Sequence, residues 1–561
     1  MRSGLVLTLP LLARSTRVPS RRCAYGDACW PNAHEWNSFN SSISGSLIRS
    51  FPSAAVCHGE RYDEAQCTVA TDNWVNSYWR TNQTRAYAAI LWELGEKGQC
   101  FIGSPRDAPC DQGIVPYYSV NVTHVTDVQA AVKFALKHDL YLVVKNTGHD
   151  HLGRSSGRGA FAIWTHNLKG KEWNSSFVPQ GAPLNVAGIP AVTLQTGEQW
   201  QDVYKAAAEQ GVIVVGGAAR TVGSAGGYMT GGGHSPFSHF YGLAVDNVLE
   251  VKLIDAKGRR RILNQYTDPE YFYAIRGGGG SAWGAITSVT YKTHTNPSHI
   301  QVGVVQFNVT TTSTLRVVLN KSLKALPVVT EAGYTGYGTA NLVLGADEPA
   351  GFAAIFIQPN ATNTTFIEAF REYRDISKIP GVSGITANFD FPSWIEYSKV
   401  FIQDPHIASN TIDESRLLTS DVLLSRTDDI VGLMMENVSN PSGFNFIGKV
   451  NPAERDNTAT HPAWKYSRAL LSVSANWKDD ASADEKRRAQ LQLVEISKKF
   501  SEIVGPDGGT YLNEANPYEP DWQNDFWGEK YKRLLAIKRR IDSTNPFVCN
   551  RCVGTDIILE P

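Results

Sequence analysis

Between positions 111 and 548 the sequence contains no cysteine. Methionine is scarce, at 4 of 561 residues. Net charge is nearly absent, since 53 Lys and Arg face 54 Asp and Glu. That balance excludes a protein built mainly to neutralise nucleic-acid phosphates or to coat an anionic membrane. Charged residues make up only 19% of the chain and hydrophobic ones 42%, which argues against disorder and fibrous repeats. No stretch reaches the ~20 apolar residues that span a bilayer, and no tandem repeat occurs. The G-x-x-x-x-G-K-[ST] phosphate loop is missing. Gly226-Gly227 with Gly231 lacks the strict G-x-G-x-x-G spacing. An ordinary P-loop or Rossmann nucleotide site is therefore disfavoured. Cys549-x-x-Cys552 has no second CxxC to complete a zinc site, so a structural staple is the better reading and no metal is expected.

What the chain does have is glycine, 48 residues of it, together with cysteines crowded at its two ends. The cysteines are Cys23, Cys29, Cys57, Cys67, Cys100, Cys110, Cys549 and Cys552. Eight cysteines allow 105 connectivities, with short-range pairs such as Cys57–Cys67 and Cys100–Cys110 favoured. One Arg and a largely apolar run over residues 4–13 resemble a secretory signal with a short core. Arg14, Arg17, Arg21 and Arg22 follow without a clean cleavage site, and a misplaced start codon would look similar. Acceptor sequons stand at Asn40, Asn82, Asn121, Asn174, Asn308, Asn320, Asn360, Asn363 and Asn437. Paired cysteines, a leader and sequons together point to the secretory pathway.

Along the chain, residues 1–22 read as a signal segment and 23–115 as a disulfide-tied N-terminal segment. An α/β pattern follows. Residues 117–122 form a strand, and Thr126-Asp127-Val128-Gln129 matches a capping box. Val128, Ala131, Val132, Ala135 and Leu136 then mark one helix face, and residues 140–144 a buried strand. The unit recurs: Thr196-Gly197-Glu198-Gln199 is a second capping box, Trp200, Val203, Tyr204 and Ala207 a helix face, residues 211–215 a buried strand. From 298 to 505 the texture changes to mixed strands and longer helices, an α+β domain. Residues 506–561 are aromatic and turn-rich.

Three glycine clusters follow strand or helix ends: residues 146–157, 216–234 and 277–280. Glycines let backbone N–H groups approach a phosphate and permit positive φ, which suits a pyrophosphate.

The residues that carry a resemblance now appear in order. They are Val144-Lys145-Asn146-Thr147-Gly148-His149-Asp150, Thr221-Val222-Gly223-Ser224-Ala225-Gly226-Gly227 with Gly231-Gly232-Gly233-His234, Tyr241-Gly242-Leu243-Ala244-Val245-Asp246-Asn247-Val248, and Arg276-Gly277-Gly278-Gly279 with Trp283-Gly284. Residues 116–297 resemble the flavin-binding (PCMH-type) domain of the vanillyl-alcohol oxidase and berberine bridge enzyme superfamily. Trp527-Gly528-Glu529-Lys530-Tyr531 with Asp542, Asn545-Pro546 and Phe547 resembles the berberine-bridge C-terminal segment. Cys29-Trp30-Pro31 and Cys552-Val553-Gly554 match secreted fungal members, including isoamyl-alcohol-oxidase-like proteins.

The resemblance implies an α+β fold class. It comprises a two-subdomain FAD-binding domain (116–297), a substrate domain with an antiparallel sheet (298–505) and a C-terminal segment completing the flavin site (506–561). It implies FAD bound by Asn146, Thr147, Gly148, His149, Asp150, Thr221, Val222, Gly223, Gly226, Gly227, Gly232, Asp246, Asn247, Val248 and Asn513. His149 matches the histidine joined to the flavin 8α-methyl. Doubly linked members carry a cysteine just before the T-V-G segment, where Ala219-Arg220 stand here, so a single histidyl link is implied. His151 and His234 read first as satisfied polar neighbours. Tyr511 in Tyr511-Leu512-Asn513 resembles the family's active-site tyrosine, and as a base it needs a lowered pKa; His234 is a weaker candidate. The cofactor does the redox chemistry, with a small-molecule substrate and O2 as the implied partners. A specialised metabolite is the expected substrate. Alternatives are a simple alcohol or a carbohydrate, a non-catalytic glycosylated binding protein on the same scaffold, and a nicotinamide dehydrogenase.

Overall fold

A computed structural model describes residues 22–94, 100–345, 349–404, 407–436, 442–446, 448, 457–555 and 557–559. Nearly all of the expected signal segment and the Asn437 sequon lie outside the described residues. The first sheet contains β1 (Leu47–Arg49), β2 (Tyr118–Asn121), β3 (Leu142–Lys145) and β4 (Phe161–Trp164), in the order β1-β2-β4-β3. β2, β4 and β3 run parallel, while β1, from the N-terminal segment, adds antiparallel to β2. The crossover from β2 to β3 is helix α1 (Val125–Lys137), whose Val128, Ala131, Val132 and Ala135 are buried as their spacing requires.

That helix has its N-cap at His124, two residues before the Thr126 of the expected capping box. Asp127 is its third residue, and the carboxylate accepts from the N–H groups of Thr123 and His124. The second expected box also fails. Helix α2 (Trp200–Glu209) has Gln199 at its N-cap with no side-chain cap bond. Glu198 instead accepts from Gly170 N and pairs with Lys171.

Next come β5 (Lys171–Phe177), β6 (Ile189–Gln195), β7 (Val212–Ile213), β8 (Val248–Ile254), β9 (Arg260–Leu263), β10 (Ala285–Lys292) and β11 (His294–Thr295). Five of them form an antiparallel sheet in the order β5-β6-β10-β8-β9, and β7 pairs with β11. The remaining strands are β12 (Ile300–Val309), β13 (Thr335–Asn341), β14 (Gly351–Pro359), β15 (Val382–Phe391), β16 (Thr411–Thr419), β17 (Ser442–Phe446) and β18 (Ser467–Asn476). They make one antiparallel sheet, β15-β12-β14-β13-β17-β18-β16. Its outer face is covered by helices α3 (Thr312–Glu331), Arg371–Ile376 and α4 (Ala483–Val504), which bury Leu319, Leu326, Tyr373, Leu493 and Phe500 with Phe352, Phe356 and Leu471. Its inner face meets the glycine-rich loops. β16 shows the division well. Asp413 is turned to the inner side, and Glu414 and Arg416 are fully buried on the other. Arg416 there binds Glu414, Glu519, Asp525 and the hydroxyls of Ser497 and Ser501.

Four disulfides join Cys23–Cys29, Cys57–Cys67, Cys100–Cys110 and Cys549–Cys552. No helix among the described residues is long and apolar enough to cross a membrane.

Candidate functional site

The three glycine clusters converge on one cavity of about 620 Å³, which also reaches the inner face of the large sheet. Each loop is fitted to its neighbour by the lack of a side chain. Gly148 has φ +84°, and a Cβ on it would approach Tyr87 Cα and Ala86 O at 3.1 and 3.3 Å. A Cβ on Gly223 would lie 2.1 Å from Asn146 Nδ2, and one on Gly231 1.9 Å from Asn513 Oδ1. At Gly226 and Gly227 the reverse holds. A Cβ would meet no protein atom within 4 Å, and both residues line the cavity. Bare backbone there faces space that the protein itself leaves open.

Among the described residues, five buried polar atoms of the cavity lining have no hydrogen-bond partner: Asn146 Oδ1, Arg154 Nη1, Thr196 Oγ1, Trp283 Nε1 and Tyr337 OH. Buried polar groups are normally satisfied, so these donors and acceptors, beside a bare glycine wall, fit a polar cofactor. Arg154 is held by its other nitrogens, which donate to Asn550 O at 3.1 Å and Arg551 O at 2.9 Å. Trp527 Nε1 donates to Gly277 O at 2.9 Å. The C-terminal segment thus laces the first and third loops.

His149 lies in the cavity wall with Nε2 2.7 Å from Thr221 Oγ1, whose own N–H donates to Asp404. Burial pushes its pKa down to about 4, against the opposing charge of Asp404. The ring is therefore neutral, the nucleophilic form of an imidazole. Below it the N-terminal segment packs directly. Tyr87 OH donates to Ser155 O, Trp92 Nε1 to Asp150 O, and Lys145 Nζ to Gln83 O. Burial lowers Lys145 to about 7. Asp150 builds the turn itself, accepting from Leu152 N, Ser155 N and Ser155 Oγ.

Tyr511 and Asn513 enter from the C-terminal segment. Asn513 Nδ2 donates to Tyr511 OH at 2.7 Å and to Tyr228 O at 2.9 Å. Tyr511 was expected to have a lowered pKa. Burial instead raises it, with Glu514 adding to the effect and outweighing the donors of Asn513, His234 and Gly233. The phenol is a neutral hydroxyl at neutral pH. His234 meets Tyr511 edge-on at 5.0 Å between ring centres, and its Nε2 lies 3.1 Å from Glu514 Oε1. Burial raises Glu514, but the His234 charge and hydrogen bond leave its pKa lowered.

Among the expected flavin contacts, Asn146, Thr147, Gly148, His149, Asp150, Val222, Gly223, Gly226, Gly227 and Asn513 line the cavity. Thr221 acts through His149. Gly232, Asp246, Asn247 and Val248 do not line it. Asp246 accepts from Leu243 N, and Asn247 ties Tyr241 O, Leu243 O and His294 together. Their role is to hold the turn behind the second loop. The residues missed from the sequence come from the large sheet and its edges: Tyr337, Thr339, Gln403, Asp413, Ser472 and Ser474. Nothing local in the sequence marks them, because β-pairing brings them together.

The chain matches a family model for an FAD binding domain over residues 116–264 and one described as berberine and berberine like over 510–553. It is 63% identical over 560 residues, 99% of each chain, to an FAD-linked oxidoreductase of Arthroderma benhamiae. It belongs to the FAD-linked oxidoreductases of the vanillyl-alcohol oxidase and berberine bridge superfamily. Two solved VAO-type flavoproteins of Myceliophthora thermophila C1 are similar along nearly the whole length of this FAD-linked oxidoreductase. They have TM-scores of 0.86 and 0.88, with 28% and 26% identity. One alignment covers 96% of this chain and 97% of the other, the second 97% and 98%. All eight cysteines are paired, and the cavity wall at 218–219 is alanine. Arg220 turns away to the carbonyls of Lys399 and Ile402.

Proposed function

We propose that this FAD-linked oxidoreductase is a secreted oxidase that carries its flavin on His149 alone and oxidises a hydroxyl of a specialised metabolite, with O2 as acceptor. The observation that carries the reading is the cavity wall. Among the described residues it combines a neutral imidazole, bare glycine backbone and five unpartnered polar atoms. When bound, the flavin supplies hydride acceptance from a substrate C–H bond. The chain supplies the rest. Gly226 and Gly227 leave room for the cofactor, Asn146, Arg154, Thr196 and Trp283 offer it polar partners, and Thr221 orients His149. Tyr511, held by Asn513, offers a neutral hydroxyl to the substrate's oxygen. The large sheet closes the far side and excludes water. Export is supported by four disulfides and by the exposed sequon residues Asn82, Asn174, Asn360 and Asn363.

A second reading, a carbohydrate as substrate, is favoured by one observation. Thr339, Ser472, Ser474 and Asp413 give the sheet side of the cavity a hydroxyl-rich surface.

The purified protein should be yellow, and flavin fluorescence should stay with the polypeptide after acid denaturation. His149→Ala should release it. Flavin freed from the wild type by acid overturns the linkage. Anaerobic flavin bleaching and O2 uptake across alcohols, sugars and polyketide or alkaloid intermediates then identify the substrate class. A flavin that bleaches but does not recover in air overturns the oxidase reading.

A further inference from the structure

Two histidine–carboxylate pairs line the cavity, and they differ in the nitrogen they leave free. His234 spends Nε2 on Glu514 and packs against Tyr511, leaving its side chain 10% exposed. His151 uses Nδ1, 2.9 Å from Asp413 Oδ2. Its Nε2 has no hydrogen bond among the described residues, and the side chain is 24% exposed. Asp413 is fixed on its other oxygen by Ser474 Oγ at 2.6 Å, from the residue directly opposite on β18. The imidazole is thus aligned by a carboxylate that is itself aligned. Beside it the sheet is shallow, because Ser472, Gly443 and Thr339 are register neighbours with small side chains. A substrate body has room within reach of Nε2.

The electrostatics separate the two histidines of the first loop. Burial alone would lower His151, but the Asp413 hydrogen bond and charge, with Glu514 and Asp150, carry it above the ordinary imidazole value. His149, two residues away, is pushed down. Neighbouring groups tuned in opposite directions mark divided roles.

We propose that His151 is the group that takes the substrate's hydroxyl proton, with Asp413 and Ser474 as its positioning residues. The inference rests on the oxidase reading above. The O–H bond breaks and its proton passes to the Nε2 lone pair. The hydrogen on the adjacent carbon leaves with both electrons of its bond, as hydride to the flavin, and the C–O bond becomes double. Asp413 balances the charge on the imidazolium. The groups that face His151 are Asp413 from β16, Glu514 from the C-terminal segment, and Asp150 and His149 on its own loop. His151 must be neutral to act, so the rate should climb with pH through a midpoint above ~6.5. Asp413→Asn should move that midpoint down, since burial is then opposed only by the more weakly acting Glu514 and Asp150.

Two measurements on the holoenzyme test this. Diethyl pyrocarbonate acylates neutral imidazole, and peptide mass spectrometry reads its rate at His151 across pH, with His234 as internal reference. The wild-type midpoint should lie above ~6.5 and fall in Asp413→Asn. Anaerobic bleaching by the fastest alcohol of the substrate screen should slow by ~100-fold or more in His151→Asn, with flavin content unchanged. Ser474→Ala, which removes the hydrogen bond that fixes Asp413, should shift the midpoint by less than Asp413→Asn does. Wild-type bleaching by His151→Asn, loss confined to His234→Gln, or a midpoint that Asp413 and Ser474 do not influence overturns the proposal and leaves the oxidase reading standing. A screen in which no hydroxyl compound bleaches the flavin overturns both.

Discussion

A Cβ on Gly227 would touch no protein atom, whereas one on Gly231 would strike Asn513. The two positions therefore separate the needs of the fold from those of the ligand. Gly227 is the first residue of the short helix Gly227–Thr230, so alanine there gains helix propensity and restricts the unfolded chain. Gly227→Ala should leave the unfolding free energy of flavin-free protein, read in urea, unchanged or raised by up to ~1 kcal/mol. Flavin content, read from visible absorbance, should fall. Full flavin content would show that the cofactor passes elsewhere. Glycine density made this cradle legible in the sequence, as did His149 within its motif. His151 was not legible, because Asp413 lies 262 positions away and only β16 brings it near. Tyr511 was found, but its acidity was not, since burial depends on packing that no local pattern records. Asp246 and Asn247 stood out for the right motif and the wrong reason, as turn residues behind the second loop.

Elements with clear periodicity were read well, and those set by long-range contacts were not. The buried stripes of α1 and α2 match their spacing. The expected caps failed because Asp127 caps the first helix from His124, while Gln129 and Gln199 donate to Gly258 O and Thr221 O instead. α3, twenty residues long, escaped notice. Pro327 and its β-branched neighbours weaken the helical signal, and packing against β14 and the helix Arg371–Ile376 restores it. The buried cluster on β16 is likewise a product of tertiary structure, joining that strand to α4 and to the C-terminal segment. Arg416 faces three carboxylates there, and one guanidinium does not neutralise all of them. Burial holds Glu414 well above the carboxylate range and raises Asp525 to about 8. The native state therefore keeps protons that the unfolded chain releases above ~4. Stability from these groups is present in acid and lost as pH rises toward 8. Thermal melts should show the midpoint falling between pH 5 and 8, with a shallower slope in Asp525→Asn, whose amide has no proton to lose. Parallel slopes would place the titration elsewhere. Arg416→Met should cost about 3–5 kcal/mol in urea unfolding near neutral pH, because it strands buried charge.

At the scale of the whole molecule, both ends of the chain build the site. Residues 80–92 support the first loop from below, and residues 527–551 tie the first loop to the third. The Cys549–Cys552 sulfurs lie 3.5 and 3.6 Å from Gly280 O in the cavity wall. Lys538, buried and lowered by burial, binds Asp542, Ala282 O and Phe547 O just before them. Replacing both cysteines by serine should cost about 2 kcal/mol, the loop-closure value for so short a ring. Urea unfolding reads that loss. A larger loss would mean that the staple also holds the third loop in place.

The bridge between Phe547 and Leu142 has a consequence for how the protein is made. Strand β3 and the glycine loop after it emerge early from the ribosome, at about 5–20 residues per second. Their neighbour Phe547 is made only after every strand of the large sheet. The nascent flavin cavity therefore waits, open along one wall, while the large sheet is still being synthesised. A chain that stops before position 547 lacks the bridge partner of Leu142 and keeps that wall open.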